Sequence, residues 1–198
     1  MEKPQFPGWR QDIRARRYFR HPPEMETERL RLRPLRWGDA AQIYDWSRDP
    51  EVARYVLWDA HRSIRETREY IAYMRGLYRR SLPGSWAVVE KAANRVIGTM
   101  GVVSWSPENG SCEIGYSLAR DRWGLGYATE AAERMIRSLM EDAGFHRIEA
   151  QHDVRNPASG RVMEKCGMRK EGVLRGRILN KGEYVDVVLY AILAEDRT

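Results

Sequence analysis

Cysteine is scarce in this chain. Its two copies among 198 residues, Cys112 and Cys166, are too few for a disulfide scaffold and stand at no metal-ligand spacing. The four histidines (His21, His61, His146, His152) never fall at H-x-x-x-H spacing either. Both cysteines lie in apolar or strand-like stretches, where a buried reduced thiol is the ordinary reading, and no metal is expected. Long apolar runs are missing as well. The longest, Val187 to Ala194, has eight residues, against the ~20 that a membrane helix needs. Residues 1–30 hold no apolar stretch of the kind that directs export. The expectation is a cytoplasmic protein with no membrane role.

Lysine is rare too, 5 against 29 arginines, within a net charge of +6. Residues 1–23 carry Lys3, Arg10, Arg14, Arg16, Arg17 and Arg20 against Glu2 and Asp12, which is +4 of that total. Such a segment suits a polyanionic partner. The plainer reading is a solvated arm, with a short helix packing Trp9 and Ile13 on the body. Four prolines between Pro4 and Pro23 mark it as appended, so the chain divides into a basic arm over 1–26 and one domain over 27–198.

No repeat or low-complexity stretch interrupts that domain. Arg29 to Pro34 alternates polar and apolar as a half-buried strand does. Asp39 with Gln42, and Ser63 with Glu66, have capping-box spacing ahead of helical patterns, and Asp49-Pro50 opens a short turn between them. The period then changes to that of strands, over Trp86–Glu90, Val96–Val103 and, after the hairpin signal Asn109-Gly110, Cys112–Leu118. A helix over about Tyr127 to Asp142, a strand from Arg147 to Asp153, a helix opened by Asn156-Pro157 and strands over Met168–Val173 and Tyr184–Leu193 complete a mixed α/β order.

The most informative stretch is Trp123-Gly124-Leu125-Gly126-Tyr127-Ala128-Thr129, which joins a strand to a helix. Glycine permits positive φ and close approach of a ligand to the backbone. A helix's first turn presents unpaired N–H groups and its positive dipole end. Together they suit a phosphate or pyrophosphate. No Gly-Lys-Ser/Thr follows, so a Walker loop is excluded. Thr129 stands where a dinucleotide fingerprint needs a third glycine or alanine. From the two glycines alone, a loop without a ligand remains open.

The segment resembles motif A of the GNAT acetyltransferases, whose Q/R-x-x-G-x-G/A turn binds the pyrophosphate of acetyl-coenzyme A, with tryptophan here in place of Gln or Arg. It resembles most the ribosomal-protein alanine N-acetyltransferase branch. Thr27–Pro34, Glu113-Ile-Gly-Tyr116, Arg147-Ile-Glu-Ala150, Asn156-Pro-Ala-Ser159 and Glu164-Lys-Cys-Gly-Met168 resemble further elements of that branch, in order. The resemblance spans residues 27 to about 194. It implies a largely antiparallel central sheet of about seven strands flanked by helices, splayed between the fourth and fifth. It also implies direct transfer of an acetyl group to a primary amine of a small molecule or a protein N-terminus. A monomer or homodimer is implied, and ribosomal association through the basic arm. A non-catalytic acyl-coenzyme-A sensor is the alternative.

Acetyl transfer needs an uncharged acceptor nitrogen. Deprotonation at pH 7 costs roughly 1.4 kcal/mol for an α-amine and about 4 for a lysine, and a positioned base is worth about 10²–10⁴-fold. The resemblance implies Glu113 as that base, against the competing reading of an ordinary solvent-facing or paired glutamate. His152 and Asp153 are second choices. Many GNAT enzymes carry a tyrosine acid where this chain has Met163; the branch implies Ser159 for the thiolate-protonating or sulfur-binding role, with Tyr116 as alternative. Asn156 is expected to bond pantetheine and to cap its own helix. Ser117 and Leu118 are expected to pair with pantetheine, and Arg122, Arg161 and Lys165 to meet the cofactor's phosphates. Trp58, His61, Tyr116 and His152 are the acceptor-side candidates. Seven aromatic residues between Tyr44 and Tyr78 are expected to be mostly core.

Overall fold

The computed structural model describes residues 9–197, with side chains from Ile13 onward. Helix α1 (Trp9–Arg20) places Ala15, Tyr18 and Phe19 on one stripe by i, i+3, i+4 spacing, and all three are buried in the main core. Phe19 stands edge-on to Trp105 at 5.4 Å and against Phe145 at 6.3 Å. Ile13 is instead 52% exposed, because it falls off that stripe; the side chain of Trp9 lies outside the described residues. The helical part of the basic segment is therefore built into the body rather than solvated.

Strands β1 (Met25–Glu26) and β2 (Leu30–Pro34) pair antiparallel. Helices α2 (Ala40–Ser47), α3 (Pro50–Ala53) and α4 (Ile64–Arg79) follow. The Asp39–Gln42 capping box does not form. Buried Arg33 draws the Asp39 carboxylate into a two-bond ion pair at 2.7 and 2.8 Å, and Gln42 accepts from Val96 N instead. Ser63 Oγ does accept from Glu66 N at 3.4 Å, and Asp49 caps α3.

Next come β3 (Ser85–Glu90), β4 (Arg95–Ser106) and β5 (Ser111–Leu118), then α5 (Tyr127–Glu141), β6 (Arg147–Asp153), α6 (Pro157–Lys165), β7 (Arg169–Asn180) and β8 (Glu183–Leu193). Strand alternation shows why the sheet has helices on both faces. Trp86 and Val88 of β3 belong to the core shared with α1, α5 and α6, whereas Ala87 and Val89 belong to the core shared with α2 and α4. The order is β1-β2-β3-β4-β5-β6-β8-β7. Among the described residues it has eight strands rather than about seven, because Met25–Glu26 adds a short edge pair. β7 runs seven residues past its expected end at Val173, through register shifts that break the alternation. Among the described residues no helix is long and apolar enough to cross a membrane.

Among the described residues only β5 and β6 pair in parallel, and they do so for three positions, Ser111↔Arg147, Cys112↔Ile148 and Glu113↔Glu149. Beyond Glu113 the two strands part, β5 staying with β4 and β6 with β8.

Candidate active site

Glu113 stands where the strands part. Its Oε1 accepts from Gln151 Nε2 at 2.8 Å and its Oε2 from Ser104 Oγ at 3.2 Å, so neutral donors orient the carboxylate, and no ion pair to it is seen among the described residues. It lines a cavity of about 450 Å³, bounded by β5, β6, the start of α6, the α2–α4 region and the β7–β8 hairpin. The parted strands thus frame an opening whose inner end carries a carboxylate.

On the α6 side, Tyr116 Oη donates to the Ser159 carbonyl oxygen at 3.1 Å and lies 2.8 Å from Ser159 Oγ. Burial pushes the Tyr116 phenol well above its ordinary range, so it keeps its proton. The two alternatives for the acid are therefore one hydrogen-bonded unit. Asn156 also lines the cavity, but its side chain makes no capping bond. The expected cap is absent because Asn156 sits outside the extended geometry that aims a side chain at its own helix (φ −111°, ψ 66°). That leaves the amide available to a ligand. Met163, in the position where a tyrosine is common, is buried core.

The second-choice bases are otherwise engaged. Asp153 is held below the usual carboxylate range by hydrogen bonds from Arg155, 2.7 Å from its Nη2. His152 Nδ1 lies 2.8 Å from the Asp153 carbonyl oxygen, and its Nε2 faces α6 so closely that a Cβ on Gly160 would sit 2.7 Å away. His152 borders the cavity with its Nδ1 turned to the Asp153 backbone.

On the opposite wall, His61 Nδ1 lies 2.9 Å from Ser47 Oγ and 2.7 Å from Thr67 Oγ1. Desolvation pulls its pKa below the ordinary 6.5. The ring lies 5.6 Å from Trp58, which lies 6.3 Å from Trp46. Of the seven aromatics between Tyr44 and Tyr78, Trp46 belongs to the second core, Trp58 and Tyr70 pack against it and Tyr78 is buried, in line with the expectation. Trp46, Tyr55, Trp58, Tyr70 and Tyr73, from α2, the loop after α3 and α4, also border the cavity.

Past Leu118, β5 leads into the glycine turn. Gly124 and Gly126 have φ of 74° and 83°, in the region that favours glycine. The first backbone bond of α5 runs from Glu130 N to Gly126 O, so the amides before Glu130 have no intrahelical acceptor. Trp123 Nε1 donates to Leu118 O at 2.9 Å. Tryptophan, standing where Gln or Arg is usual, thus ties the turn to the strand end and takes the Leu118 carbonyl; Ser117, beside it, lines the cavity.

Sequence reasoning missed what braces this turn. Arg29 donates to Leu125 O at 3.0 Å and to Glu130 Oε2 at 2.6 Å, and lies over the Tyr127 ring at 4.4 Å. Thr27 Oγ1 and Arg29 N also donate to Glu130. Tyr127 donates to Glu90 Oε1 at 2.6 Å, and these donors hold the Glu90 carboxyl below its usual range. The partners are 37 to 103 residues apart, and no local pattern pairs them. Arg122 belongs to the same brace, at 3.1 Å from Glu90 and 2.9 Å from Asp121. Arg161 and Lys165 are exposed on α6. Ala128 packs against the main core beside Tyr127, and the Thr129 carbonyl accepts from Cys166 Sγ at 3.7 Å. Burial pushes the Cys166 thiol up to about 12 and the Cys112 thiol well above its ordinary range, so neither is a ready thiolate.

The acetyltransferase (GNAT) domain family matches residues 29–169. The chain is 32% identical to the uncharacterized N-acetyltransferase p20 of Bacillus licheniformis over 170 residues, 86% of this chain and 96% of that one. It is 33% identical to the ribosomal protein uS5 alanine N-acetyltransferase of Escherichia coli over 88 residues, 44% of this chain and 45% of that one. A solved GNAT-family acetyltransferase from Bacillus anthracis superposes with a TM-score of 0.79 at 28% identity, covering 87% of this chain and 99% of that one.

Proposed function

Because this chain belongs to the GNAT acetyltransferase family and is an acetyltransferase, we propose that it moves the acetyl group of acetyl-coenzyme A directly to a primary amine within a ternary complex. The observation that carries this reading is the end of β5–β6 pairing at Glu113↔Glu149. It leaves a carboxylate at the inner end of an opening whose strand β5 continues into an anion-binding turn.

The residues present suit the co-substrate. The unpaired amides of α5's first turn, with Gly124 and Gly126, offer donors to a diphosphate. Asn156 and Ser117 line the cavity, and exposed Arg161 and Lys165 stand on α6, the helix that follows Asn156. Acetyl-coenzyme A supplies an activated acyl group there. Glu113 takes the proton of the attacking amine, and the Gln151 and Ser104 donors keep its lone pairs aimed. Ser159, backed by Tyr116, holds a hydroxyl proton for the departing sulfur. Buried, protonated Cys112 and Cys166 have no part in the transfer.

Under this reading residues 27–198 carry the chemistry and the basic residues of 1–26 suit a polyanionic partner such as the ribosome. The acceptor is a small amine or a protein N-terminus, and the protein works in the cytoplasm as a monomer or homodimer. Mass spectrometry after incubation with acetyl-coenzyme A and a mixed peptide and small-amine library tests it. Acetylated products that require the protein support the reading; bound acetyl-coenzyme A with no acetylated amine refutes it in favour of a sensor.

A further inference from the structure

The glycine turn has little of its own to fix its shape. Leu125 is 54% exposed, and a Cβ on Gly124 would meet nothing beyond its chain neighbours within 4 Å. Glycines lose more conformational freedom on ordering than other residues do, and the turn has two at positive φ. What holds it reaches in from the edge of the sheet. Arg29, one residue before β2, engages two of its three guanidinium nitrogens there. Nη1 donates to the Leu125 carbonyl oxygen at 3.0 Å and Nε to Glu130 Oε2 at 2.6 Å. The guanidinium also stands 4.4 Å from the centre of the Tyr127 ring, whose hydroxyl is tied to Glu90.

That grip decides where an amide points. The peptide bonds are trans, and in a planar trans peptide the carbonyl and the N–H face opposite ways. With the Leu125 carbonyl held by Arg29, the Gly126 N–H is turned away from the guanidinium. Gly126 is exposed, and its N–H meets no backbone acceptor among the described residues. It is the first of the amides that the start of α5 leaves open. An amide held ready binds at lower cost than one that a flexible turn must first orient. The docking of this segment on α5 does not rest on the Arg29 side chain alone, since Thr27 Oγ1 and Arg29 N also donate to Glu130.

We propose that Arg29 is a positioning residue for acetyl-coenzyme A. By holding the Leu125 carbonyl it keeps the Gly126 amide aimed at the diphosphate. It thereby sets how strongly the site prefers coenzyme A thioesters to pantetheine thioesters, which lack that group. This rests on the reading of the turn as the diphosphate site.

Calorimetric titration of the parent, Arg29→Ala and Arg29→Lys with acetyl-coenzyme A and with S-acetylpantetheine tests it. Arg29→Ala should weaken acetyl-coenzyme A by at least about tenfold, the worth of one hydrogen bond to a charged group, and leave S-acetylpantetheine near parental. Arg29→Lys keeps the positive charge but lacks the planar fork that reaches Leu125 O and Glu130 together. It should also bind acetyl-coenzyme A more weakly than the parent does, with S-acetylpantetheine again near parental, and it carries the test if the alanine variant does not fold. An unchanged affinity for acetyl-coenzyme A in Arg29→Ala overturns the proposal. An equal loss for both ligands overturns it as well, by making Arg29 a general support of the fold. Parental affinity in Arg29→Lys does so too, since charge alone would then suffice. Failure of the underlying reading shows in the parent instead: if it binds acetyl-coenzyme A no more tightly than S-acetylpantetheine, the turn is not the diphosphate site.

Discussion

Replacing Gly126 by valine separates what the turn does for the fold from what it does for the ligand. Its φ of 83° is in the left-handed region, where a side chain costs about 1–2 kcal/mol and a β-branched one is an outlier. A Cβ there would meet only the end of the Arg29 side chain, at 3.4 Å, which can give way. With about 2–4 °C of Tm per kcal/mol at this size, the free protein should lose about 2–8 °C. Acetyl-coenzyme A at ~100 times Kd stabilises the parent by about 2.7 kcal/mol, or about 5–11 °C. If the valine weakens binding about a hundredfold, the same concentration equals Kd and stabilises by only ~0.4 kcal/mol. Gly176→Val is the control, since Gly176 also has positive φ (57°), with open space around its Cβ and a place on exposed β7. It should lower Tm similarly and keep the full ligand shift. Thermal denaturation of the three proteins with and without acetyl-coenzyme A reads all six melting temperatures. A parental ligand shift in Gly126→Val refutes the assignment of the turn to the diphosphate.

Glu113→Gln should lower kcat at least about tenfold, toward the 10²–10⁴ worth of a positioned base, and flatten the rise of rate with pH while leaving acetyl-coenzyme A affinity near parental. An unchanged pH–rate profile removes Glu113 from the mechanism. Phe19→Ala should cost about 3–5 kcal/mol in urea unfolding, since the ring is fully buried between Trp105 and Phe145. A loss under about 1 kcal/mol contradicts α1 as part of the core. Because burial lowers the pKa of His61, the unfolded chain binds the proton more readily. Its contribution to stability is complete above 6.5 and lost as pH falls below that value through the folded-state pKa. His61→Gln should flatten that slope, and urea titrations at pH 5 to 7.5 that superpose for both proteins refute it.

Local patterns in the sequence announce much of this fold and part of the site. Alternation in Arg29–Pro34, Asn109-Gly110 at the hairpin and the double glycine before Tyr127 each act within a few residues, and each marks an element that forms. What long-range pairing decides was not legible. Asp39 has the spacing of a cap but answers to Arg33, a buried cation brought beside it by the β2 fold. Phe19 belongs to the core because Trp105 and Phe145 arrive from distant segments. The brace from Arg29 and Glu90 to the glycine turn likewise exists only once the sheet has assembled. That several aromatics after Tyr44 border a cavity as well as the core is also decided by how α2, the loop after α3 and α4 come together.

The most direct test is a crystal structure of the protein with acetyl-coenzyme A and an unreactive acceptor analogue. The diphosphate should sit on the amides between Gly126 and Glu130, with the pantetheine arm between β5 and β6 beside Asn156. The thioester should face Glu113. A cofactor bound on another face of the sheet, or an acetyl group turned away from Glu113, would contradict the account.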